Sequence, residues 1–225
     1  MNYKINIKLK SDSLIGSGEG FGAIIDTDVV FDEIGIPYIP GRRIKGCLRD
    51  SANEVCQMFE KSGISYFFIK LSKNKKGNGI VLIDEVFGTS EKPSCLNISN
   101  LTIADYESNY KSLRYLINCK HILSKDEVSS YFTLIRQQTK IDDGGVAEKH
   151  SLRTVRSIKK GNIFEGNISV NDSDLDTLKL LWLACINLRH IGTKRNRGFG
   201  KVECKLIDEN NKTIEFEKDL EGVCR

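Results

Sequence analysis

The sequence has few of the residues and none of the long segments that mark several classes of protein. Its 225 residues include three prolines, three histidines, two methionines and one tryptophan. No apolar run reaches the roughly 18 residues that a membrane-spanning helix needs. The segment MNYKINIKLKSDS at the start lacks the apolar core of a secretory signal. The expectation is therefore a cytoplasmic protein that makes no membrane contact.

The spacing of cysteine and histidine that marks a zinc finger is also absent. The seven cysteines lie at least nine residues apart, and their number is odd. This pattern predicts reduced thiols, most of them buried as small apolar side chains. The three histidines, His121, His150 and His190, are equally dispersed, which excludes a site built from one short Cys/His motif.

The basic residues are concentrated in three stretches, although the net charge is only +4. Residues 42–49, 149–160 and 189–201 contain 14 basic residues and no acidic residue, which leaves 20 basic and all 30 acidic residues elsewhere. The near-neutral total excludes a histone-like tail and an acidic disordered chain. Segregation of this kind predicts a surface that binds a polyanion such as RNA, and the alternative is three solvated faces without a ligand.

Hydrophobic periodicity predicts a mixture of strands and helices. Strands are predicted at 3–9, 23–31, 64–71, 79–88, 162–170, 201–207 and 213–217. Helices are predicted from 41 to about 60 and from Ser173 onward, with a polar hairpin over 136–160. The order lacks the strict βαβαβ alternation of a dinucleotide-binding fold. It predicts an α+β fold of the RRM or ferredoxin type, with an antiparallel sheet and two main helices on one face.

Three aspartates, Asp26, Asp28 and Asp32, follow the glycine-rich segment GSGEGFG at 16–22. Carboxylates beside a phosphate-binding surface can hold Mg²⁺ or position a nucleophile. Aspartates this close together are also common in turns, where they cap backbone groups or pair with cations such as Arg42 and Arg43. Spacing alone favours the interpretation in which the aspartates cap turns or form ion pairs.

Five segments, in order along the chain, resemble motifs of the RAMP superfamily of CRISPR-associated proteins. IPYIPGRRIKGCLRDSA (36–52) resembles the superfamily's PYIPGSSLKGxLR signature, and IGSGEG (15–20) resembles the loop after its first strand. The other segments are VFGTSEKPSCLNISNLTIADYE (86–107), TKIDDGGVAEKHSLRTVRSIKKGNIFEGNI (139–168) and the glycine-rich IGTKRNRGFGKVE (191–203). Within the superfamily the chain is most similar to the repeated, Csm-type backbone subunit of type III effector complexes.

This resemblance implies a fold, partners and a chemistry. It implies one RRM-like RAMP domain over residues 1–225 with a hairpin thumb at 139–160. Copies of the chain are expected to stack along a CRISPR guide RNA, together with other Cas subunits. Asp26 is implied to be the catalytic residue that cleaves complementary target RNA, with Mg²⁺ or another divalent metal bound at Asp26.

The resemblance and the basic stretches together define the expected RNA-binding residues. These are Ser17, Gly18, Arg42, Arg43, Lys45, Arg49, Lys149, His150, Arg153, Arg156, Gly192, Lys194, Arg195, Arg197, Gly198 and Gly200. Glycines let a backbone approach a phosphate–ribose chain closely, and the start of the helix at 41 favours an anion.

Three alternatives remain at this level. The first is a RAMP subunit that binds or caps guide RNA without catalysis. The second is a metal-independent RAMP endoribonuclease that processes the guide precursor, which requires His121, His150 or His190. The third is a plain RRM domain that binds single-stranded RNA, for which the expected exposed aromatic motif is absent from the sequence.

Overall fold

An antiparallel sheet forms the centre of the computed structural model, which describes residues 2–16, 25–62, 80–171 and 175–217. The strands are β1 (Asn2–Leu9), β2 (Leu96–Ile98), β3 (Thr102–Ile103), β4 (Thr133–Gln138), β5 (Arg153–Ile158), β6 (Ile163–Val170) and β7 (Val202–Ile207). The helices are α1 (Gly41–Ser62), α2 (Ile80–Phe87), α3 (Tyr106–Asn118), α4 (Lys125–Phe132) and α5 (Leu175–Asn187).

The strand order of the main sheet is β2-β6-β1-β7, and the short β3 also pairs with β6. Six elements form a βαββαβ unit in chain order, namely β1, α1, β2, β6, α5 and β7. The first and third strands of this unit, β1 and β6, lie at the centre of the sheet. This arrangement is the ferredoxin-like topology, so the expected RRM-like α+β fold is confirmed. Between β2 and β6 the chain adds α3, α4 and the β4–β5 hairpin.

Helices α1 and α5 cover one face of the sheet. The predicted apolar stripe of α1 is buried at Ile44, Leu48 and Ala52. The Ser51 hydroxyl donates to the carbonyl of Ala184 in α5 at 2.8 Å, which joins the two helices in the core. Alternate residues of β1 face these helices, because side chains of a strand point to opposite sides of a sheet.

The segment expected to form the thumb lies in the β4–β5 hairpin. Its strands pair from Thr133 with Ile158 to Gln138 with Arg153, so the pairing begins six residues before the expected start of the thumb at 139. At the tip, one carboxylate oxygen of Asp142 accepts hydrogen bonds from the backbone of Gly144 and Val146. Such an aspartate-centred turn explains the polar DDGG segment without any ligand.

Several predicted elements differ from the structure. The segment predicted as a strand at 79–88 is helix α2, in which Ile83, Val86 and Phe87 are buried. The prediction was wrong because a short apolar run fits a buried strand and a buried helix equally. Residues 213–217 form only an isolated bridge from Thr213 to Ile207, not a strand. The described part of 23–31 likewise makes isolated bridges, and the predicted strand at 64–71 and the cap at Ser173 lie outside the described residues.

Helices α3 and α4 were not expected from the periodicity of the sequence. Helix α4 begins with a capping box between Ser124 and Glu127, a pattern that is readable from the sequence. None of the helices in the described ranges is long and apolar enough to cross a membrane.

Candidate nucleic-acid interface

The loop at 191–200 connects α5 with β7 and lies against residues near the end of β1. The backbone N–H of Thr193 donates to the Leu14 carbonyl at 3.0 Å. A Cβ on Gly192 would lie 2.3 Å from that same carbonyl oxygen, and one on Gly200 would lie 2.0 Å from the carbonyl oxygen of Ile191. Close packing of the protein's own backbone therefore accounts for these two glycines. Gly198, by contrast, has a φ of +79° and open space around it.

The same loop contacts the first turns of α1. The guanidinium of Arg195 donates to the Gly192 carbonyl at 3.0 Å and reaches the Cys47 sulfur at 4.0 Å. Burial raises the pKa of the Cys47 thiol, and the cations of Arg195 and Arg43 act in the opposite direction. Two of the basic stretches therefore meet at Cys47.

On its other side the loop contacts the hairpin. The ammonium of Lys194 donates to the side-chain carbonyl of Gln138, which lies opposite Arg153 in the β4–β5 pairing. Desolvation lowers the pKa of Lys194, and the cations of Arg197 and Arg153 lower it further, whereas Asp26 acts in the opposite direction. We call Asp26, Arg153, Lys194 and Arg197 the Asp26 cluster. All three basic stretches thus converge on the 191–200 loop.

Asp26 has an exposed side chain, which is held where the β4–β5 pairing ends and the hairpin loop begins. Its backbone N–H donates to the Thr154 carbonyl at 2.9 Å, and its Oδ2 accepts the Thr154 N–H at 2.7 Å. The next residue, Thr27, forms a parallel bridge with Val155. Within the described parts of the chain, Thr154 is the only hydrogen-bond partner of this carboxylate. The group is oriented by β5 yet open to a ligand.

The other two aspartates have structural roles. Asp28 is buried and forms an ion pair with Arg156 of β5, with 3.2 Å between Oδ2 and Nη1. Asp32 accepts hydrogen bonds from the backbone of Ile34 and Ile36 at 3.0 and 2.8 Å. It also accepts the hydroxyl of Tyr106 at 2.9 Å. Of the three aspartates, Asp26 is therefore the one whose side chain is exposed.

Some of the residues expected to bind RNA instead contact the protein itself. Lys45 donates to the Leu96 carbonyl at 3.0 Å, and desolvation lowers the pKa of Lys45. Arg49 pairs with Asp84 of α2 at 2.8 Å. The exposed members of the expected set are Arg42, Lys149, His150, Arg153, Arg195, Arg197 and Gly198. Ser17 and Gly18 lie outside the described residues.

The described residues do not fit a metal ion held by protein ligands alone. No group of three His, Cys, Asp or Glu side chains within the described ranges could hold a metal. Asp26 offers one carboxylate, while Asp28 is engaged by Arg156. Mg²⁺ requires about six oxygen ligands, so most of them would have to come from RNA and water. We therefore assign no protein-held metal site.

Two residues of the candidate interface, Gln138 and Thr154, were not expected from the sequence. Both are ordinary polar residues in the hairpin and carry no motif. They become significant because the hairpin register places Gln138 opposite Arg153, and Thr154 follows as the partner of Asp26. Only a known strand register could have identified them from the sequence.

Replacing Arg153 and Arg197 together by glutamine is expected to weaken binding of a labelled single-stranded RNA by at least about tenfold at low salt. Each arginine is expected to make a charge-assisted hydrogen bond to a phosphate, and glutamine lacks the charge. The slope of log affinity against log salt should fall by about 1.4, since each phosphate contact on single-stranded RNA contributes about 0.7. Fluorescence anisotropy of the full chain over a salt series measures both quantities.

The matched control is the Lys92→Gln, Lys212→Gln double variant. Both lysines are exposed and lie outside the three basic stretches. Net charge falls equally in both double variants. An equal loss of affinity in the two variants would show that total charge, and not the Asp26 cluster, governs binding.

Comparison with known proteins found one family model and solved structures of similar fold. The family model of the RAMP superfamily matches residues 6–203. A chain in a cryo-EM structure of the type III-B Cmr-beta complex bound to cognate target RNA is 16% identical, with a TM-score of 0.60, and the match covers 92% of this chain and 97% of that chain. A chain of the apo-state Cmr-beta complex is also 16% identical, with a TM-score of 0.58 and coverage of 93% and 98%. Curated proteins gave no significant match.

Proposed function

The chain belongs to the RAMP superfamily, and from this premise we propose that it is a backbone subunit of a type III CRISPR effector complex. In this role it binds guide RNA and cleaves complementary target RNA at Asp26. The observation that carries the proposal is the exposed Asp26 carboxylate, hydrogen-bonded to Thr154 and adjoined by the cations of the Asp26 cluster. The finer expectation of a Csm-type subunit stays a prediction.

The chemistry follows from a carboxylate beside several cations. Asp26 accepts the proton of a ribose 2′-hydroxyl, which then attacks the adjacent phosphorus in line with the departing 5′-oxygen. Arg153 and Arg197 counter the negative charge that develops on the phosphate. DNA lacks the 2′-hydroxyl, so this mechanism cuts RNA and leaves DNA intact.

The convergence of the basic stretches supports RNA binding along the 191–200 loop. Arg43 and Arg195 lie together on the α1 side of the loop, and Arg153 lies on its hairpin side. The protein would contact the RNA backbone through these cations, while base pairing between guide and target supplies sequence specificity. The similar fold of a chain in an RNA-bound Cmr-beta complex supports a place among copies of itself and other Cas subunits.

The test uses the assembled complex with its guide RNA. A complementary target RNA should be cut, leaving a 2′,3′-cyclic phosphate and a 5′-hydroxyl. The same target with one 2′-deoxyribose at the cleavage position should stay intact there. Parallel reactions with Mg²⁺ and with EDTA decide whether cleavage requires a divalent metal.

The alternative functions give different results in the same assay. A subunit that only binds or caps guide RNA leaves the target uncut under every condition. A guide-processing endoribonuclease cuts the guide precursor, is unaffected by EDTA, and depends on His121, His150 or His190. Either result would contradict the proposed function.

A further inference from the structure

We propose that Lys194 is the general acid of the cleavage reaction and protonates the departing 5′-oxygen while Asp26 takes the proton of the 2′-hydroxyl. This inference rests on the proposed function and assigns a second catalytic residue to the same site. It distinguishes Lys194 from the neighbouring arginines, which would only bind phosphate.

The hairpin register brings the two groups together. The Lys194 ammonium is hydrogen-bonded to Gln138, which is paired with Arg153. The Asp26 carboxylate is hydrogen-bonded to the backbone of Thr154, the residue that follows Arg153 in β5. The base is thus held by Thr154 in β5, and the acid is held by Gln138, which lies in β4 opposite the residue before Thr154.

The Lys194 ammonium also has capacity for a substrate. An ammonium carries three N–H donors, and the described residues supply one acceptor, the side-chain oxygen of Gln138. Two donors are left for a phosphate and its leaving oxygen. Gln138 restricts the position of the ammonium without neutralising its charge.

The backbone at Lys194 has a conformation that lysine rarely adopts. Its φ of 57° and ψ of 31° lie in the left-handed region, where a side chain is disfavoured. The backbone N–H of Arg197 donates to the Lys194 carbonyl at 2.9 Å, and the backbone N–H of Thr193 donates to the Leu14 carbonyl. Hydrogen bonds on both sides of Lys194 therefore hold its backbone in this conformation. Residues kept in such conformations cluster at functional sites, which favours a specific role for this side chain.

The electrostatic environment has the direction that a general acid requires. Desolvation and the cations of Arg197 and Arg153 lower the pKa of Lys194. A lower pKa makes proton donation near neutral pH easier. The arginines cannot replace it, because a guanidinium does not lose its proton in proteins.

In the proposed step one bond to phosphorus forms as another breaks, and one proton is taken up as another is released. The bond from the 2′-oxygen to phosphorus forms, and the bond from phosphorus to the 5′-oxygen breaks. Asp26 gains the proton of the 2′-hydroxyl, and Lys194 gives a proton to the 5′-oxygen. The products are a 2′,3′-cyclic phosphate and a 5′-hydroxyl, and solvent afterwards returns the two side chains to their starting protonation states.

A substrate with sulfur in place of the 5′-bridging oxygen tests this role. A thiolate leaves without protonation, so a missing general acid matters little with this substrate. The assembled complex carrying Lys194→Arg or Lys194→Gln should cut ordinary target RNA at least about 10²-fold more slowly than wild type under single-turnover conditions. With the sulfur substrate both variants should come within about tenfold of the wild-type rate. Lys212→Gln, at an exposed lysine in the loop after β7, should match wild type on both substrates.

The outcomes separate this inference from the proposed function. If the wild-type complex does not cut, or if Asp26→Asn cuts at the wild-type rate, the proposed function fails and the role of Lys194 fails with it. If the wild-type complex cuts target RNA and Asp26→Asn does not, the proposed function stands, and the rates of the Lys194 variants decide whether Lys194 is the general acid. A near-normal rate on ordinary RNA, or a slow rate on both substrates, would overturn the general-acid role.

Discussion

In the assembled complex, Asp26→Asn is expected to cut target RNA about 10³-fold more slowly than wild type. An amide cannot accept the 2′-hydroxyl proton, and general bases contribute about 10²- to 10⁴-fold to a rate. The asparagine side-chain oxygen can still accept the Thr154 N–H that Asp26 accepts at 2.7 Å. The segment should therefore keep its position, and guide RNA affinity should stay within about twofold. Single-turnover cleavage and RNA-binding assays measure the two effects.

The control for this variant is Asp105→Asn. Asp105 is exposed, precedes α3 and has a φ of 57°, a conformation that asparagine tolerates. The chemical change is identical, but Asp105 is not part of the Asp26 cluster and follows β3, which pairs with β6 and not with β5. Unchanged cleavage by Asp26→Asn would exclude Asp26 as the general base, whereas a comparable loss in Asp105→Asn would point to a nonspecific effect of charge.

The second large effect is expected at the ion pair of Asp28 and Arg156. Asp28→Ala should lower the free energy of unfolding by about 3 kcal/mol, because it leaves a mostly buried guanidinium without its carboxylate. The side chains of Asp28 and Arg156 are only 8% and 17% exposed. Urea unfolding of the full chain measures the change. Since Asp28 is two residues from Asp26, the variant should also loosen the attachment of Asp26 to β5.

A double variant separates pairing from packing. Asp28→Ala combined with Arg156→Met removes both charges and should recover part of the loss, since an apolar side chain can replace a buried pair. Asp50→Ala, at an exposed position of α1, should change stability by less than about 0.5 kcal/mol. A loss at Asp28→Ala as small as that at Asp50→Ala would show that the pair contributes little to the fold.

Local patterns in the sequence were sufficient for β1, β6 and β7 of the central sheet and for the two main helices, but not for the short strands β2 and β3. The alternation in β1 and the spacing of Ile44, Leu48 and Ala52 in α1 follow from the two periods of regular structure, so each was readable without a fold. The apolar segment of α2 was not readable in this way, because a short apolar run suits a buried strand and a buried helix equally.

The basic stretches show the same division at the level of the site. The segregation of basic residues is visible in the sequence. The sequence does not show which of these cations are exposed to solvent. Lys45 and Arg49 follow Arg42 by three and seven residues and so lie on one face of α1, yet Lys45 contacts Leu96 of β2 and Arg49 contacts Asp84 of α2. A charge count cannot separate these residues, because their partners come from distant parts of the chain.

The sequence by itself determined the superfamily, the α+β class, the segregation of charge and the segment that carries Asp26, since all of these depend on residue order alone. Only the tertiary structure decided which aspartate is exposed and which cation lies beside it. That decision depends on the register of β4 with β5, which sets Gln138 and Lys194 next to the strand that holds Asp26. The register of this hairpin depends on the geometry of its long connecting loop and on the packing of both strands, which the pattern of neither strand specifies by itself.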